Sequence, residues 1–162
     1  MKAVAVACGG RGTRLGEPGQ KCLVDLHGRP FLHHKLDQLA GHNATEFHLL
    51  VAYDAWAVYA SVGTTWDNIP VIYHHDNGTS HIHAHHTAPL PYVHFYTYGD
   101  TLLNVPLRHA ARPYTYSNNE YEDAGVSYCW GSRLPRRHRH TDAIAYHCNT
   151  PEDLEITRAA VV

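Results

Sequence analysis

The sequence predicts an α/β domain with a parallel sheet and helices on its faces. Two observations carry this. Short apolar runs of strand length alternate with segments of helical periodicity, the order that builds such a sheet. The first run, Ala3-Val4-Ala5-Val6-Ala7, holds no polar residue and runs into Gly9-Gly10, as a strand buried on both faces enters a tight turn.

The elements follow in order. A loop rich in Gly and Arg spans Gly9 to Gly19. Residues 30–40 read as a helix: Pro30 suits the first turn, Leu32, Leu36 and Leu39 recur at helical spacing, and Gly41 suits the stop. Phe47 to Ala52 is a second strand, residues 54–61 a short helix, and Val71-Ile72-Tyr73 a third strand. Tyr92 to Tyr98, rich in aromatic and β-branched residues, is a fourth strand and ends at Gly99-Asp100. A last helix begins at Pro151 and runs to about Ala160, with Thr150 as N-cap and Glu152 and Asp153 complementing the helix dipole. Residues 111–142 offer one strand, around Val126–Trp130. No repeat or linker divides the chain, so one domain over residues 1–162 is expected.

Composition narrows the classes. A chain of 162 residues can bury a core without disulfide or metal staples. The net charge is -2, with 13 Lys and Arg against 15 Asp and Glu, so nucleic acid is not an expected partner. The one basic run, Arg136-Arg137-His138-Arg139-His140, reads equally as a solvated loop. Cys8, Cys22, Cys129 and Cys148 form no CxxC pair, and no apolar stretch approaches membrane-helix length. A cytoplasmic protein with reduced thiols and no membrane contact is expected.

The strongest chemical signal is Gly9-Gly10-Arg11-Gly12-Thr13-Arg14-Leu15, directly after the first strand. Glycines let successive backbone N–H groups turn toward one anion, because no Cβ blocks the approach. Arg14 can add a guanidinium fork to phosphate oxygens. The pattern is neither GxGxxG nor a Walker loop.

This segment resembles the GGxGTRL signature of sugar-1-phosphate nucleotidyltransferases. The similarity continues in Lys21-Cys22-Leu23-Val24-Asp25-Leu26-His27-Gly28-Arg29-Pro30, which follows the family's P-K-x-L-x-x-x-x-G-x-P order with Gln20 in place of the first proline. Gly99-Asp100-Thr101-Leu102-Leu103-Asn104-Val105 is similar to its G-D-x-L-x-x-V segment, and Asn77-Gly78-Thr79-Ser80 more loosely to its L-G-T-A stretch. Tyr146-His147-Cys148-Asn149-Thr150-Pro151-Glu152-Asp153-Leu154 looks like its D-x-G-T-P-E-D-L, with His147 at the aspartate and Asn149 at the glycine.

The resemblance implies a Rossmann-like, three-layer α/β/α fold with a mostly parallel sheet, in the compact manner of nucleotidyltransferases and GT-A enzymes. It implies that Gly9, Gly10, Gly12, Thr13, Arg14 and Gly78 bind a nucleoside triphosphate. Arg14, Lys21 and Asp100 become the expected catalytic residues, with Asp100 and His147 at a Mg²⁺ position. Magnesium prefers oxygen ligands, which makes His147 the weaker of the two. The implied reaction passes a nucleotidyl group from an NTP to a sugar 1-phosphate and releases pyrophosphate. NTP and sugar 1-phosphate are the expected partners; self-association into a homo-oligomer stays open.

The resemblance covers roughly residues 1–105 and 145–160. Family members usually exceed two hundred residues, and the difference falls between Asp100 and Thr150, where the family builds its sugar pocket. Its Glu-Lys-Pro motif has no counterpart: no lysine follows Lys35, and Arg112, Arg133 and Arg136 sit in no matching motif. Two other readings therefore stand beside the sugar reading. One is a catalytically weak relative that binds nucleotide for regulation. The other is a different acceptor, since Lys21 to Pro30 also looks like molybdopterin guanylyltransferases.

Histidine is over-represented, with 16 residues, and His74, His75, His81, His83, His85 and His86 lie close together. If residues 80–87 are helical, His81 and His85 share a face, as zinc ligands at i,i+4 do. A zinc site needs three or four convergent ligands, which the sequence does not show, so a polar, partly exposed helix in a histidine-biased chain is the better reading.

Overall fold

A computed structural model of the chain describes residues 2–16, 19–75, 93, 95–103, 114–117, 123–128, 138–140 and 145–161. Strand β1 (Ala3–Ala7) lies inside the sheet, flanked in parallel by β4 (Glu46–Val51) and β7 (Phe95–Tyr98). Beyond β4 comes β6 (Ile69–His75), also parallel. The edges are antiparallel or mixed. On one side β5 (Thr65–Trp66) turns back on β6; on the other, β10 (Asp123–Tyr128) pairs β7, followed by β9 (Tyr114–Ser117) and β11 (His138–His140). The order is β11-β9-β10-β7-β1-β4-β6-β5. The expected α/β, Rossmann-like fold is what forms.

β1 is buried along its length because it is central and covered on both faces. Val4 and Val6 point to one face, where Phe47, Leu49, Val51, Val71 and Phe95 join them. Helix α1 (Phe31–Gly41) covers that face with Leu32, Leu36 and Leu39, and α2 (Ala55–Val62) adds Val58 and Val62. Ala3 and Ala5 point the other way, with Leu50, Val93 and Tyr96. Burying one such aliphatic side chain contributes about 1.5–3 kcal/mol, so this face-alternating set fixes the register of the central strands.

The helices sit within a residue or two of the expected positions. Pro30 caps α1 rather than opening it, because it is already paired in a small hairpin, β2 (Asp25–Leu26) with β3 (Arg29–Pro30). His27 and Gly28 form that turn with φ of 54° and 78°. Positive φ at both central residues is the type I′ geometry that matches strand twist. Asp67 and Asn68 do the same between β5 and β6, at 48° and 62°. Neither hairpin was expected, since two-residue strands carry no readable periodicity. Among the described residues of 111–142 there are three strands, where one was expected.

The C-terminal helix α3 (Pro151–Ala160) starts in a capping box. Thr150 Oγ1 accepts from the Asp153 amide at 3.2 Å and the Asp153 carboxylate accepts from the Thr150 amide at 3.0 Å. Leu154 anchors α3 on Leu26, Phe31, Leu102 and Cys148. Just before it, β12 (Ala145–His147) pairs antiparallel with β8 (Thr101–Leu103). This pair brings the C-terminal motif to the Gly-Asp segment. Among the described residues, no helix is long and apolar enough to cross a membrane.

Candidate active site

In sheet order, β1 has β4 and β6 on one side and β7 on the other. The chain fills the first side, then crosses to the second. The crevice beyond the carboxyl ends of β1 and β7 is therefore a topological switch point, where α/β sheets bind ligands. Gly9-Gly10 leaves β1 and Gly99-Asp100 leaves β7 at that crevice.

Close packing makes the crevice. The Gly99 amide donates to the Ala7 carbonyl at 2.9 Å. A Cβ on Gly99 would stand 3.0 Å from Cys8 Sγ, 3.1 Å from the Ala7 carbonyl oxygen and 3.2 Å from Cys22 Cβ. Only glycine lets the Asp100 turn lie this near the loop after β1. Gly12 sits at φ 66°, in the left-handed region, and opens the short 3-10 turn Thr13–Leu15. The Lys21 amide donates to the Gly10 carbonyl at 3.1 Å, which folds the loop back on itself.

Gln20 fastens the loop from inside. Its side chain is buried, and Nε2 donates to the carbonyls of Cys8 at 2.5 Å and Tyr53 at 2.7 Å. Its Oε1 accepts from the Cys22 amide at 3.4 Å, at the start of the 3-10 turn Lys21–Leu23. Proline could not make these bonds, so the departure from the resembled motif has a structural role. An open pocket of about 250 Å³ lies against this loop, lined by Gly12, Leu15, Gly19, Gln20, Lys21 and Asp25 among others.

Lys21 and Asp100 form an ion pair, and Lys21 Nζ also donates to Asn149 Oδ1. Their side chains are 14% and 19% exposed, so the charges are largely withdrawn from water but reachable from the crevice. The Thr101 hydroxyl donates to Asp100 Oδ1 at 3.4 Å and meets His147 Nδ1 at 3.0 Å. The two residues expected at the metal are thus neighbours, joined through Thr101. Asn149 and Thr101 were not among the expected site residues. Asn149 filling the motif's glycine position was the one signal for it.

The other expected residues fall as follows. Gly9 and Gly10 are half-buried at the end of β1; Thr13 and Arg14 are exposed on the loop. The Arg11 guanidinium lies over the Tyr53 ring, 5.3 Å from its centroid. Gly78, His81, His83, His85, His86, Arg112, Arg133, Arg136 and Cys129 lie outside the described residues.

Among the described residues, no three His, Cys, Asp or Glu side chains converge as a metal cage. Mg²⁺ needs less: one or two carboxylates, completed by substrate phosphate oxygens and water. Asp100 fits that demand. The three described cysteines are buried free thiols. Hydrogen bonding to Cys8, then burial, pushes the Cys22 thiol up, and burial, then the Asp100 carboxylate, pushes up that of Cys148. Thiols held protonated in this way are poor nucleophiles.

Residues 4–95 match the model of the MobA-like NTP transferase domain. The chain belongs to that family. No curated protein matches its sequence. Solved structures with the same fold include HddC from Yersinia pseudotuberculosis complexed with GMP-PN, with a TM-score of 0.76, 16% identity and coverage of 100% of both chains. A putative glucose-1-phosphate thymidylyltransferase from Bacillus anthracis gives 0.73 and 11%, covering 99% of this chain and 94% of that one. The CTP:phosphocholine cytidylyltransferase of Streptococcus pneumoniae gives 0.70 and 12%, covering 99% of each. The matched segment of this nucleotidyltransferase family member includes the glycine-rich loop between β1 and Lys21.

Proposed function

We propose that this nucleotidyltransferase transfers a nucleotidyl group from an NTP to a sugar 1-phosphate. The observation that carries the reading is the meeting of Lys21, Asp100 and Asn149 at the mouth of the glycine loop. A phosphate oxygen of the acceptor attacks the α-phosphorus in line. The bond from that phosphorus to the bridging oxygen breaks, and pyrophosphate leaves with the electron pair. Loop amides from Gly9 to Thr13, with Arg14, hold the triphosphate. Lys21, now paired with Asp100, turns to the phosphates and offsets the charge that grows there. Asn149 aims the Lys21 ammonium, and Gln20 keeps the loop in register. Asp100 would hold Mg²⁺, which when bound screens the triphosphate charge and orients its oxygens. No covalent enzyme intermediate is needed, because positioning and electrostatics supply the rate.

A second acceptor reading has its own support. The matched family model is MobA-like and spans residues 4–95, the nucleotide half of the chain. A molybdopterin-type phosphate would then replace the sugar 1-phosphate. The test is pyrophosphate release across a matrix of NTPs against sugar 1-phosphates and other phosphate-bearing acceptors. Release with a sugar 1-phosphate supports the first reading; release only with another acceptor replaces it. Tight NTP binding without any release would make the protein a nucleotide-binding relative without turnover.

A further inference from the structure

Two segments far apart in the chain meet at Asp100. β12 pairs antiparallel with β8, and the register sets His147 directly opposite Thr101. Residues opposite each other in such a pair bring their side chains together. The pair is pinned on both sides. The Cys148 amide donates to the Asp100 carbonyl at 3.2 Å, and the buried Thr157 hydroxyl on α3 donates to the His147 carbonyl at 2.8 Å. Thr101 is 1% exposed, so its hydroxyl needs its partners inside the protein. It has two: Asp100 Oδ1 at 3.4 Å and His147 Nδ1 at 3.0 Å.

The count of protons assigns the roles. A hydroxyl has one proton to give, and an ionised carboxylate has none. Both contacts are hydrogen bonds only if the hydroxyl donates to Asp100 and His147 Nδ1–H donates to the hydroxyl oxygen. The donors then run from His147 through Thr101 to Asp100. The other carboxylate oxygen, Oδ2, pairs with Lys21, whose Nζ also donates to Asn149 Oδ1. Each oxygen of Asp100 thus has its own partner. With Oδ1 held, the carboxylate cannot rotate freely, and Oδ2 stays aimed at the ammonium.

We propose that His147 is a positioning residue, which through the Thr101 hydroxyl sets the Asp100 carboxylate and, with it, the Lys21 ammonium. This rests on the reaction proposed above. There Lys21 leaves Asp100 for the phosphates. Oδ2 then loses its partner while Oδ1 keeps its own, so the carboxylate holds its orientation through the step. His147 serves by its Nδ1–H, a task different from the metal ligation expected of it. One segment between β12 and α3 therefore acts on the ammonium twice, through Asn149 directly and through His147 by way of two side chains.

The test compares pyrophosphate release by wild type, His147→Leu, His147→Asn, Thr101→Val and the double variant His147→Leu/Thr101→Val. His147→Leu should lower kcat about 3–10-fold, the scale of one hydrogen bond, with KM for the NTP unchanged. An asparagine amide nitrogen reaches the place of Nδ1, so His147→Asn should recover most of the rate. Thr101→Val should lose as much as His147→Leu, and the double variant no more than either, because both break one chain. Fully additive losses, or an asparagine variant no better than leucine, overturn the role. Nitrogen NMR of the wild-type chain reads the tautomer without turnover, with His147→Asn identifying the signal by its absence. At a pH where imidazoles are neutral, a protonated Nδ1 and a bare Nε2 support the chain of donors; a bare Nδ1 overturns it. If wild type releases no pyrophosphate with any acceptor, the proposed reaction falls, and the nitrogen spectrum still decides whether His147 holds Asp100 through Thr101.

Discussion

Gln20 Nε2 donates to the Tyr53 carbonyl at 2.7 Å and so ties the glycine loop to the end of β4. The same nitrogen reaches Cys8 at the end of β1. One buried amide thus links the ends of β1 and β4 to the turn that carries Lys21.

Replacing it should loosen the loop. Gln20→Leu leaves the Cys8 and Tyr53 carbonyls with one partner fewer in a buried setting, at a cost of about 1–3 kcal/mol. Thermal unfolding should show that loss, and NTP affinity should fall with it. A variant as stable and as tight as wild type would remove the role.

Lys21→Ala should lower kcat by about 10²–10³-fold, the scale of losing one preorganised charge at the reacting phosphates. Asn149→Ala should lower it less, because it only aims Lys21. Pyrophosphate release measures both. The fold should survive in each, as circular dichroism would report.

Gly99→Ala should destabilise through sterics alone. The new methyl would sit 3.0 Å from Cys8 Sγ and 3.1 Å from the Ala7 carbonyl, and backbone cannot retreat cheaply. Overpacking of this kind costs about 1–3 kcal/mol. Pairing it with Cys8→Ala should recover part of the lost Tm, since that removes the closest contact.

Lys35 gives a pH prediction. It is fully buried on α1, and its ammonium has no hydrogen-bond partner among the described residues. Burial holds it down at about 7, with the Asp100 charge working the other way. The folded state then binds fewer protons than the unfolded chain between about pH 7 and about pH 10.4, so stability should rise with pH across that window. Lys35→Met should raise Tm at pH 7 and flatten that rise. One pKa unit is about 1.4 kcal/mol, so the effect is several kcal/mol. Urea titrations at pH 7 and pH 9.5 check the slope.

Much of this was legible because it is local. The run Ala3–Ala7 into Gly9-Gly10 states a buried strand and the turn that ends it in one segment. Thr150-Pro151-Glu152-Asp153 states a helix start, and the capping box forms as written. The resemblance to nucleotidyltransferase motifs singled out Lys21 downstream of the loop and Asp100 after a strand.

What chain order could not state is who meets whom. Lys21, Asp100 and Asn149 converge because β7 returns beside β1 and β12 pairs with β8. Gln20 looked like a lost proline until Cys8 and Tyr53 came within its reach. His147 and Thr101 were residues of two separate motifs until antiparallel register set β12 against β8. Local periodicity and turn chemistry act within a few residues, so sequence determines them. Contacts between distant segments depend on strand order, and only the packed sheet decides that.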